Sequence, residues 1–282
     1  MIFSWKIAVG TFDGELEYIT PEEMHECRRN GDGTTEWRGH CEYGADFCVR
    51  VSVAPCCERM KGHLSIEGFN GRKFIEQIRF PVLTVPYTDD AKLMNGAMDL
   101  GLLINDPWLL HDKVDNEFSC ASTTLFALLY PDGKGIYLDC RDGDYSPKKV
   151  ILRPDRAAGS AEFSMVFYTG NGIEPFTAWE MPGSCVFGDF SGGWFEAAQI
   201  YKEYAVTRRE FVARNRENPL RGIGLWIWNR GDVAEVVPPL VELQKELPDI
   251  PLALDWYWWH HNPYDTESPD LWPPREIGRA HV

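Results

Sequence analysis

A β-hairpin is predicted by the stretch Leu125-Phe-Ala-Leu-Leu-Tyr130, Pro131-Asp-Gly-Lys-Gly135, Ile136-Tyr-Leu-Asp139. Two apolar runs flank a short polar link, and Asp132-Gly133 within it readily adopts the positive φ angles of a tight turn. Because similar runs recur through residues 1–190 with no helical period between them, the sequence predicts a mainly β fold, a sandwich or a barrel. Besides the hairpin, these runs are Phe3–Val9, Ala45–Val53, His63–Glu67, Phe74–Val85, Lys149–Arg153 and Glu162–Tyr168.

The residue pattern changes after residue 190. Ser191-Gly-Gly-Trp-Phe-Glu196 is typical of a helix start, with Ser191 as the N-cap. Apolar residues then recur at three- and four-residue steps to about Val212, and Arg residues lie near that end, where cations suit the helix dipole. We therefore expect a linking helix within residues 191–220.

A strand–helix–strand pattern follows this segment. Gly222–Asn229 and Ile250–Trp259 are typical of buried strands, and Asp232–Leu247 has helical periodicity, with Asp232 as the N-cap. A helix between two such strands predicts a βαβ unit with parallel strands. Pro238-Pro239 interrupts the helical pattern, so we expect either a kink there or a helix that begins again at the prolines.

The charge balance limits the partners of the protein. With 28 Lys and Arg against 43 Asp and Glu, the net charge is −15 at pH 7. Nucleic acids and anionic membranes attract basic surfaces, so we expect neither as a partner. The 11 Trp residues, concentrated near the end of the chain, favour a neutral, hydroxyl-rich ligand such as a sugar. The sequence carries no signal of oligomeric state.

Targeting and metal-binding patterns are not found in the sequence. No apolar run reaches the ~18–20 residues of a membrane span, and the first ten residues lack a signal-peptide pattern, so we expect a cytoplasmic protein. The eight Cys form no Cys-x-x-Cys pair, which favours reduced cysteines over zinc ligands or a disulfide framework. Asp139, Asp142 and Asp144 superficially resemble a calcium loop, but no Glu follows at the twelfth position, so turn chemistry is favoured. We expect no metal site and no cofactor.

Four segments resemble the motifs of a known class of enzymes. They are Phe80-Pro81, Tyr130–Asp142 with Lys148, Gly193–Lys202, and Trp256–His260 followed by Pro263-Tyr-Asp265 and Pro269. With the order of elements, they resemble glycoside hydrolases in which a galactose-mutarotase-like β-supersandwich precedes a (β/α)8 barrel, and more closely a sparsely characterised glycoside-hydrolase-like family of unknown function. The resemblance implies a supersandwich at residues 1–190, a linking helix at 191–220 and the start of a TIM barrel at 221–275.

The implied barrel needs more chain than this sequence holds. A (β/α)8 barrel takes ~250 residues, whereas residues 221–275 hold the pattern of one βαβ unit. The last seven residues, Glu276-Ile-Gly-Arg-Ala-His-Val282, resemble the translation of a common short-read sequencing adapter. We therefore expect a truncated fragment with a non-native tail at residues 276–282.

The candidate substrate-binding residues lie where the two predicted barrel strands end. Active sites of such barrels are built at the C-terminal ends of the strands. An indole ring can stack on a sugar ring, while Asn, Asp and His side chains can hydrogen-bond its hydroxyls. Alternation places Asp255, Tyr257 and Trp259 on one face of the second strand, without showing which face points inward. The candidates are Trp228, Asn229, Asp255, Tyr257, Trp259, His260 and Asp265.

The resemblance implies the N-terminal part of a glycoside-hydrolase-like enzyme that acts on an oligosaccharide or glycoside. Glycoside hydrolysis normally uses a pair of carboxyl groups, and in the resembling enzymes these come from later barrel strands. We therefore assign no catalytic residue and expect the 282-residue chain to be inactive. Two alternatives stay open: a non-catalytic carbohydrate-binding sandwich, and a transglycosidase or lyase of the same architecture.

Overall fold

A computed structural model describes most of the chain. The described residues are 2–10, 16–40, 46–69, 74–96, 101–108, 116–120, 123–144, 146–169, 178–208 and 219–256. They divide into two compact units, residues 1–208 and 209–282. The domain boundaries predicted from the sequence, at residues 190, 220 and 275, stay predictions.

The first unit is built mainly of strands, as the sequence predicts. A short 3-10 turn at Pro21–Glu23 and the helix α1 (Trp194–Ala205) accompany them. The strands are β1 (Phe3–Gly10), β2 (Leu16–Ile19), β3 (Glu26–Arg29), β4 (Thr34–His40), β5 (Asp46–Cys56), β6 (Arg59–Glu67), β7 (Phe74–Pro86), β8 (Lys92–Asn95), β9 (Leu102–Asn105), β10 (Asn116–Cys120), β11 (Leu125–Leu129), β12 (Lys134–Cys140), β13 (Lys148–Asp155), β14 (Ser160–Tyr168), β15 (Ala178–Glu180) and β16 (Cys185–Ser191).

These strands form two antiparallel sheets. The smaller sheet has the order β10-β13-β14-β7-β1-β2. The larger has the order β3-β4-β5-β6-β16-β12-β11-β8-β9, with β15 also paired to β6. β16 therefore joins two halves of the larger sheet, because it pairs with β6 on one side and with β12 on the other.

The main core lies between the two sheets. Alternate residues of each strand point to the same side, so one face of each sheet supplies apolar side chains to a shared layer. Phe80 of β7 contacts Phe187 of β16 edge to face, with ring centroids 6.2 Å apart. Fully buried members from the smaller sheet include Trp5, Ile78 and Phe163, and those from the larger sheet include Leu64, Phe126 and Leu138. This two-layer arrangement is sandwich-like.

The predicted hairpin is present. β11 pairs with β12, from Leu125 with Asp139 to Leu129 with Gly135. Gly133 closes the turn with a φ of +77°, a conformation that glycine adopts without steric cost. The Asp132 carboxylate accepts a hydrogen bond from the Lys134 N–H at 3.1 Å, which stabilises the same turn.

The helix after the sandwich differs from its prediction at both ends. Ser191 is the last residue of β16 and pairs with Lys134, so Gly193 and not Ser191 is the N-cap. Glu196 completes the start, since its carboxylate accepts the Gly193 N–H at 2.7 Å. The helix ends at Ala205, short of the predicted Val212. After Ala205 the backbone hydrogen bonds change to the i→i−3 type, and the Thr207 hydroxyl donates to the Tyr204 carbonyl.

Helix α1 packs on the outer face of the larger sheet. Ala197 is fully buried in a second apolar cluster. Its small side chain brings the helix close to the β11 and β16 residues that share this cluster. Those residues are Leu125, Ala127, Leu129, Val186 and Phe190, with Tyr137 of β12 beside them.

The second unit contains the predicted βαβ unit. β17 (Leu225–Asn229) and β18 (Leu252–Trp256) are parallel, and the helix α2 (Val233–Glu246) connects them. A 3-10 turn at Pro219–Gly222 precedes β17. Asp232 is the N-cap of α2, as predicted, and its N–H donates to the Glu235 carboxylate at 3.2 Å. None of the described helices is long and apolar enough to cross a membrane.

The Pro238-Pro239 pair lies inside α2, which is continuous across it. The predicted restart of the helix at the prolines is therefore wrong. A proline in a helix leaves the carbonyl four residues earlier without its usual donor. Here those carbonyls belong to Ala234 and Glu235, and all four residues are exposed. Water can therefore replace the missing donors, which explains why the helix tolerates the pair.

Candidate functional site

The carboxyl ends of β17 and β18 lie side by side because the two strands are parallel. Trp228 is paired in register with Asp255, and Asn229 with Trp256. Paired residues of neighbouring strands point to the same side of a sheet. Trp228 and Asp255 therefore share one face, and Asn229 and Trp256 share the other.

The face that carries Trp228 and Asp255 is the open one. Trp226 and Trp228 are 56% and 62% exposed, and Asp255 is exposed as well. On the opposite face Trp256 is half-buried, and its indole N–H donates to the carbonyl of Gly231, in the loop that begins α2. Asp255 therefore lies on the open face of the strand pair. The alternation of side chains along the sequence could not show which face is open.

The loop after β17 holds the polar end of that strand in place. The Asn229 side-chain oxygen accepts the Arg230 N–H at 2.8 Å. Gly231 follows with a φ of +132°, and a Cβ at this position would lie 2.7 Å from the Glu235 carboxylate. A glycine suits this position because other residues rarely adopt such a φ, whereas the Glu235 side chain could move away from a Cβ.

The open strand ends combine two kinds of chemistry. The exposed indole of Trp228 offers a flat apolar surface with a polar N–H. The Asp255 carboxylate, on the neighbouring strand, can accept hydrogen bonds from hydroxyl groups. An aromatic face beside a carboxylate suits a ligand that has both an apolar face and hydroxyls at its rim.

Four of the predicted substrate-binding residues lie outside the described residues: Tyr257, Trp259, His260 and Asp265. Their roles stay predictions. Of the seven candidates, the structure places Trp228, Asn229 and Asp255 at the carboxyl ends of β17 and β18, with Trp228 and Asp255 on one face and Asn229 on the other.

Asp142 shows the turn chemistry that the sequence favours over a calcium loop. One carboxylate oxygen accepts the Asp144 N–H at 2.7 Å, and the other accepts the Ser146 N–H at 2.7 Å. Lys148 donates to the second oxygen at 2.7 Å, and both side chains of this ion pair are buried. These partners keep the pKa of the Asp142 carboxyl below its ordinary value, although burial acts in the opposite direction.

Asp139 is a buried charged residue whose environment the sequence did not reveal. Its carboxylate accepts hydrogen bonds from the Tyr137 hydroxyl at 2.7 Å and the Val186 N–H at 3.2 Å. Arg141 forms an ion pair with it at 3.3 Å. Burial raises its pKa from 3.8 to about 6, against the opposing effect of Arg141. The period-two spacing of Tyr137, Asp139 and Arg141 places their side chains on one side of β12 and of the residue that follows it, which is the signal that could have found them.

The Asp139 cluster helps to seat α1. The Arg141 guanidinium lies 5.3 Å from the centre of the Tyr204 ring, and the Tyr204 hydroxyl donates to the Asp142 carbonyl at 3.4 Å. Arg208, just after the helix, donates to the Gly143 carbonyl at 2.7 Å. Asp139 therefore has a structural role in the first unit.

Comparisons with known proteins point to one class of enzymes. Residues 179–281, which include β17, α2 and β18, match the family model "Domain of unknown function (DUF6259)". A Monosiga brevicollis protein named as a glycoside hydrolase is 26% identical over 174 residues, which are 51% of this chain and 14% of that protein. The chain resembles glycoside hydrolases.

Solved structures show the same fold. The α-N-acetylgalactosaminidase NagBb of Bifidobacterium bifidum, in complex with GalNAc, matches 97% of this chain and 50% of its own with a TM-score of 0.61 and 13% identity. Its Gal-NHAc-DNJ complex matches 96% of this chain and 49% of its own with a TM-score of 0.62 and 13% identity. The chain thus spans about half the length of this enzyme and a smaller part of the curated relative.

Proposed function

We propose that the chain is the N-terminal part of a carbohydrate-active enzyme of the glycoside hydrolase type, acting on an oligosaccharide or glycoside. The open ends of β17 and β18 contribute a sugar subsite in this proposal. The observation that carries it is the register pair of Trp228 and Asp255, which places an exposed indole beside a carboxylate at the carboxyl ends of two parallel strands. Carboxyl ends of parallel strands are where ligands of α/β folds bind.

The comparisons with known proteins also support the proposal. The matched family segment contains both strands. The name of the curated relative and the GalNAc complex of NagBb associate similar chains with glycosides. In the proposal a barrel begins at β17, and the acid and base carboxyl groups of the reaction come from later strands.

A binding experiment on the 282-residue chain tests the subsite. Saturation-transfer NMR is recorded with galactose, N-acetylgalactosamine, glucose and raffinose, and the affinity of any ligand is then measured by titration. We expect Trp228→Ala to weaken binding by about tenfold, equivalent to ~1.4 kcal/mol. Asp255→Asn should weaken binding as well, because a carboxylate accepts stronger hydrogen bonds than an amide.

Trp226→Ala is the matched control. Trp226 lies on the same face with similar exposure, but two residues farther from the carboxyl end of β17. It should leave the affinity within about twofold. Equal losses in both Trp variants, or no binding of any of these sugars, would contradict the subsite. Hydrolysis of nitrophenyl glycosides by the chain above the buffer rate would contradict the proposal that its catalytic carboxyl groups lie on later strands.

A further inference from the structure

The first unit contains a groove of about 980 Å³ that the proposed subsite does not use. The β11–β12 hairpin and the end of β16 form its floor, the segment after β7 forms one wall, and α1 forms another. Sites that bind small molecules typically have volumes of ~300–1,000 Å³, and this groove lies within that range.

Close packing shapes the floor of the groove. Gly135 has no side chain, and a Cβ there would lie 2.3 Å from the Phe190 ring and 2.8 Å from the Leu128 carbonyl. The ring of Phe190 therefore lies directly against the backbone of the hairpin. The Tyr130 hydroxyl donates to the Pro86 carbonyl at 3.0 Å, which ties the hairpin to the end of β7. The groove is thus preformed, and a ligand need not order its floor.

Polar groups on the groove wall have spare hydrogen-bonding capacity. Asp90 and Asp189 are exposed, and among the described residues no hydrogen bond or ion pair involves their carboxylates. The Thr88 hydroxyl and the Arg59 Nε also lack a hydrogen-bond partner within the described part of the chain. A buried donor or acceptor without a partner costs free energy, which applies to the Thr88 hydroxyl and the Arg59 Nε, whereas the exposed carboxylates are free to accept hydrogen bonds from a ligand in place of water. Their meeting in one groove indicates a ligand that carries both donors and acceptors.

The charges of the groove select among ligand classes. Burial, with Asp189 and Asp132 nearby, raises the pKa of Tyr130, so its hydroxyl stays neutral. The carboxylates that line the groove outnumber its two cations, Arg59 and Lys134, which disfavours anionic ligands. An apolar ligand would leave the carboxylates buried without partners. A neutral saccharide avoids both costs, because hydroxyls donate to carboxylates and accept from Arg, while Tyr130 offers an aromatic surface.

We propose that this groove is a second saccharide-binding site, on the sandwich, for a neutral oligosaccharide. Asp189 and Asp90 accept hydrogen bonds from hydroxyls of the ligand, Arg59 donates to a ring or hydroxyl oxygen, and Tyr130 contacts the apolar face of a sugar ring. The site does not depend on the subsite at β17 and β18.

Calorimetric titration of the 282-residue chain with maltotriose, cellotriose, mannotriose and raffinose tests the site. Asp189→Asn should weaken the binding of at least one of these neutral saccharides by about tenfold. Asp249→Asn is the control, since Asp249 is exposed in the second unit and does not line the groove. It should leave the affinity unchanged. Circular dichroism confirms that each variant is folded.

Three outcomes would overturn the second site. The first is that none of the four saccharides binds, and the second is that Asp189→Asn binds as well as the parent chain. The third is that Trp228→Ala and not Asp189→Asn abolishes binding, which would assign the ligand to the strand ends and leave the first proposal intact. Salt gives a further check, because the affinity of a neutral ligand should be the same at low and high salt. A strong loss of affinity in salt would contradict the recognition of a neutral saccharide by hydrogen bonds and aromatic contact.

Discussion

The buried carboxyl of Asp139 should destabilise the fold less as the pH falls from neutral towards 5. In the folded state burial raises its pKa from 3.8 to about 6. The folded chain therefore binds this proton more tightly than the unfolded chain does. For a carboxyl of this kind, ionisation above pH 6 destabilises the fold, and protonation removes the cost. An ordinary ion-paired carboxylate shows the opposite pH dependence, because it stabilises the fold when it is ionised.

The size of the effect follows from the two pKa values. At neutral pH the ionised Asp139 costs the fold about 3 kcal/mol, at ~1.4 kcal/mol for each tenfold difference in proton affinity. At about pH 4.5 the unfolded chain is mostly ionised and the folded chain mostly protonated, so the cost falls to about 1 kcal/mol. Acidification over this range should therefore stabilise the parent chain by about 2 kcal/mol relative to a variant that lacks the group.

Asp139→Asn is the informative substitution because it keeps the shape and cannot ionise. An amide has one oxygen. If it accepts the Val186 N–H, the amide nitrogen takes the place of the oxygen that meets the Tyr137 hydroxyl and the Arg141 Nε–H, and it cannot accept from Arg141. The variant thus loses a hydrogen bond, and its absolute stability at neutral pH should change little as the two effects offset. Urea unfolding monitored by circular dichroism, at several pH values, measures the difference between the two chains.

Glu162→Gln supplies a control of opposite sign. Burial raises the pKa of Glu162, but the hydrogen bond and charge of Lys6 outweigh burial and hold this pKa below its ordinary value. Glu162 therefore stabilises the fold at neutral pH and loses this contribution as the pH falls. If the parent chain and Asp139→Asn show parallel pH profiles, or if the parent loses stability relative to the variant on acidification, the assignment of a buried, proton-retaining Asp139 is refuted.

Two further perturbations test the packing of the first unit by urea unfolding. Lys148→Met leaves the buried Asp142 charge without its cation and should lower the free energy of unfolding by about 3–5 kcal/mol. The double variant with Asp142→Asn should recover part of this stability. If it recovers none, the two side chains are not energetically coupled. Gly183→Ala should cost clearly more than Gly133→Ala, because both glycines have positive φ angles but only at Gly183 would a Cβ lie 2.3 Å from a carbonyl, that of Arg141. Equal losses would show that backbone conformation, at about 1–3 kcal/mol, is the whole effect.

The strongly apolar strands and the βαβ unit were predictable from the sequence. Phe74–Pro86 is apolar over most of its length, and it forms the central strand β7. The polar edge strand Glu26–Arg29 carries no such signal, because it is exposed on both faces and is held by backbone pairing with β4. β16 was missed for a related reason: Gly188 and Asp189 interrupt its apolar pattern, and the sheet supplies the partners that make it a strand.

The candidate sites were also predictable from the sequence only in part. The pairing of Trp228 with Asp255 follows from the strand ends, but the open face could be identified only once Trp256 was seen against the α2 loop. The groove on the sandwich could not be predicted, since Arg59, Tyr130 and Asp189 come from segments far apart in the chain. The partners that bury Asp139 are likewise distant, because Val186 arrives with β16.

The place of β16 between β6 and β12 has a consequence for the synthesis of the protein. At about 5–20 residues per second, roughly 6–25 s separate the synthesis of the β6 segment Met60–Gly62 from that of Cys185–Ser191. Until then the β6 segment Met60–Gly62 and the whole of β12 lack the neighbour that covers them in the finished sheet. Open strand edges of this kind pair with other chains. The nascent sandwich is therefore most exposed to aggregation, and most dependent on chaperones, immediately before its last strand is made.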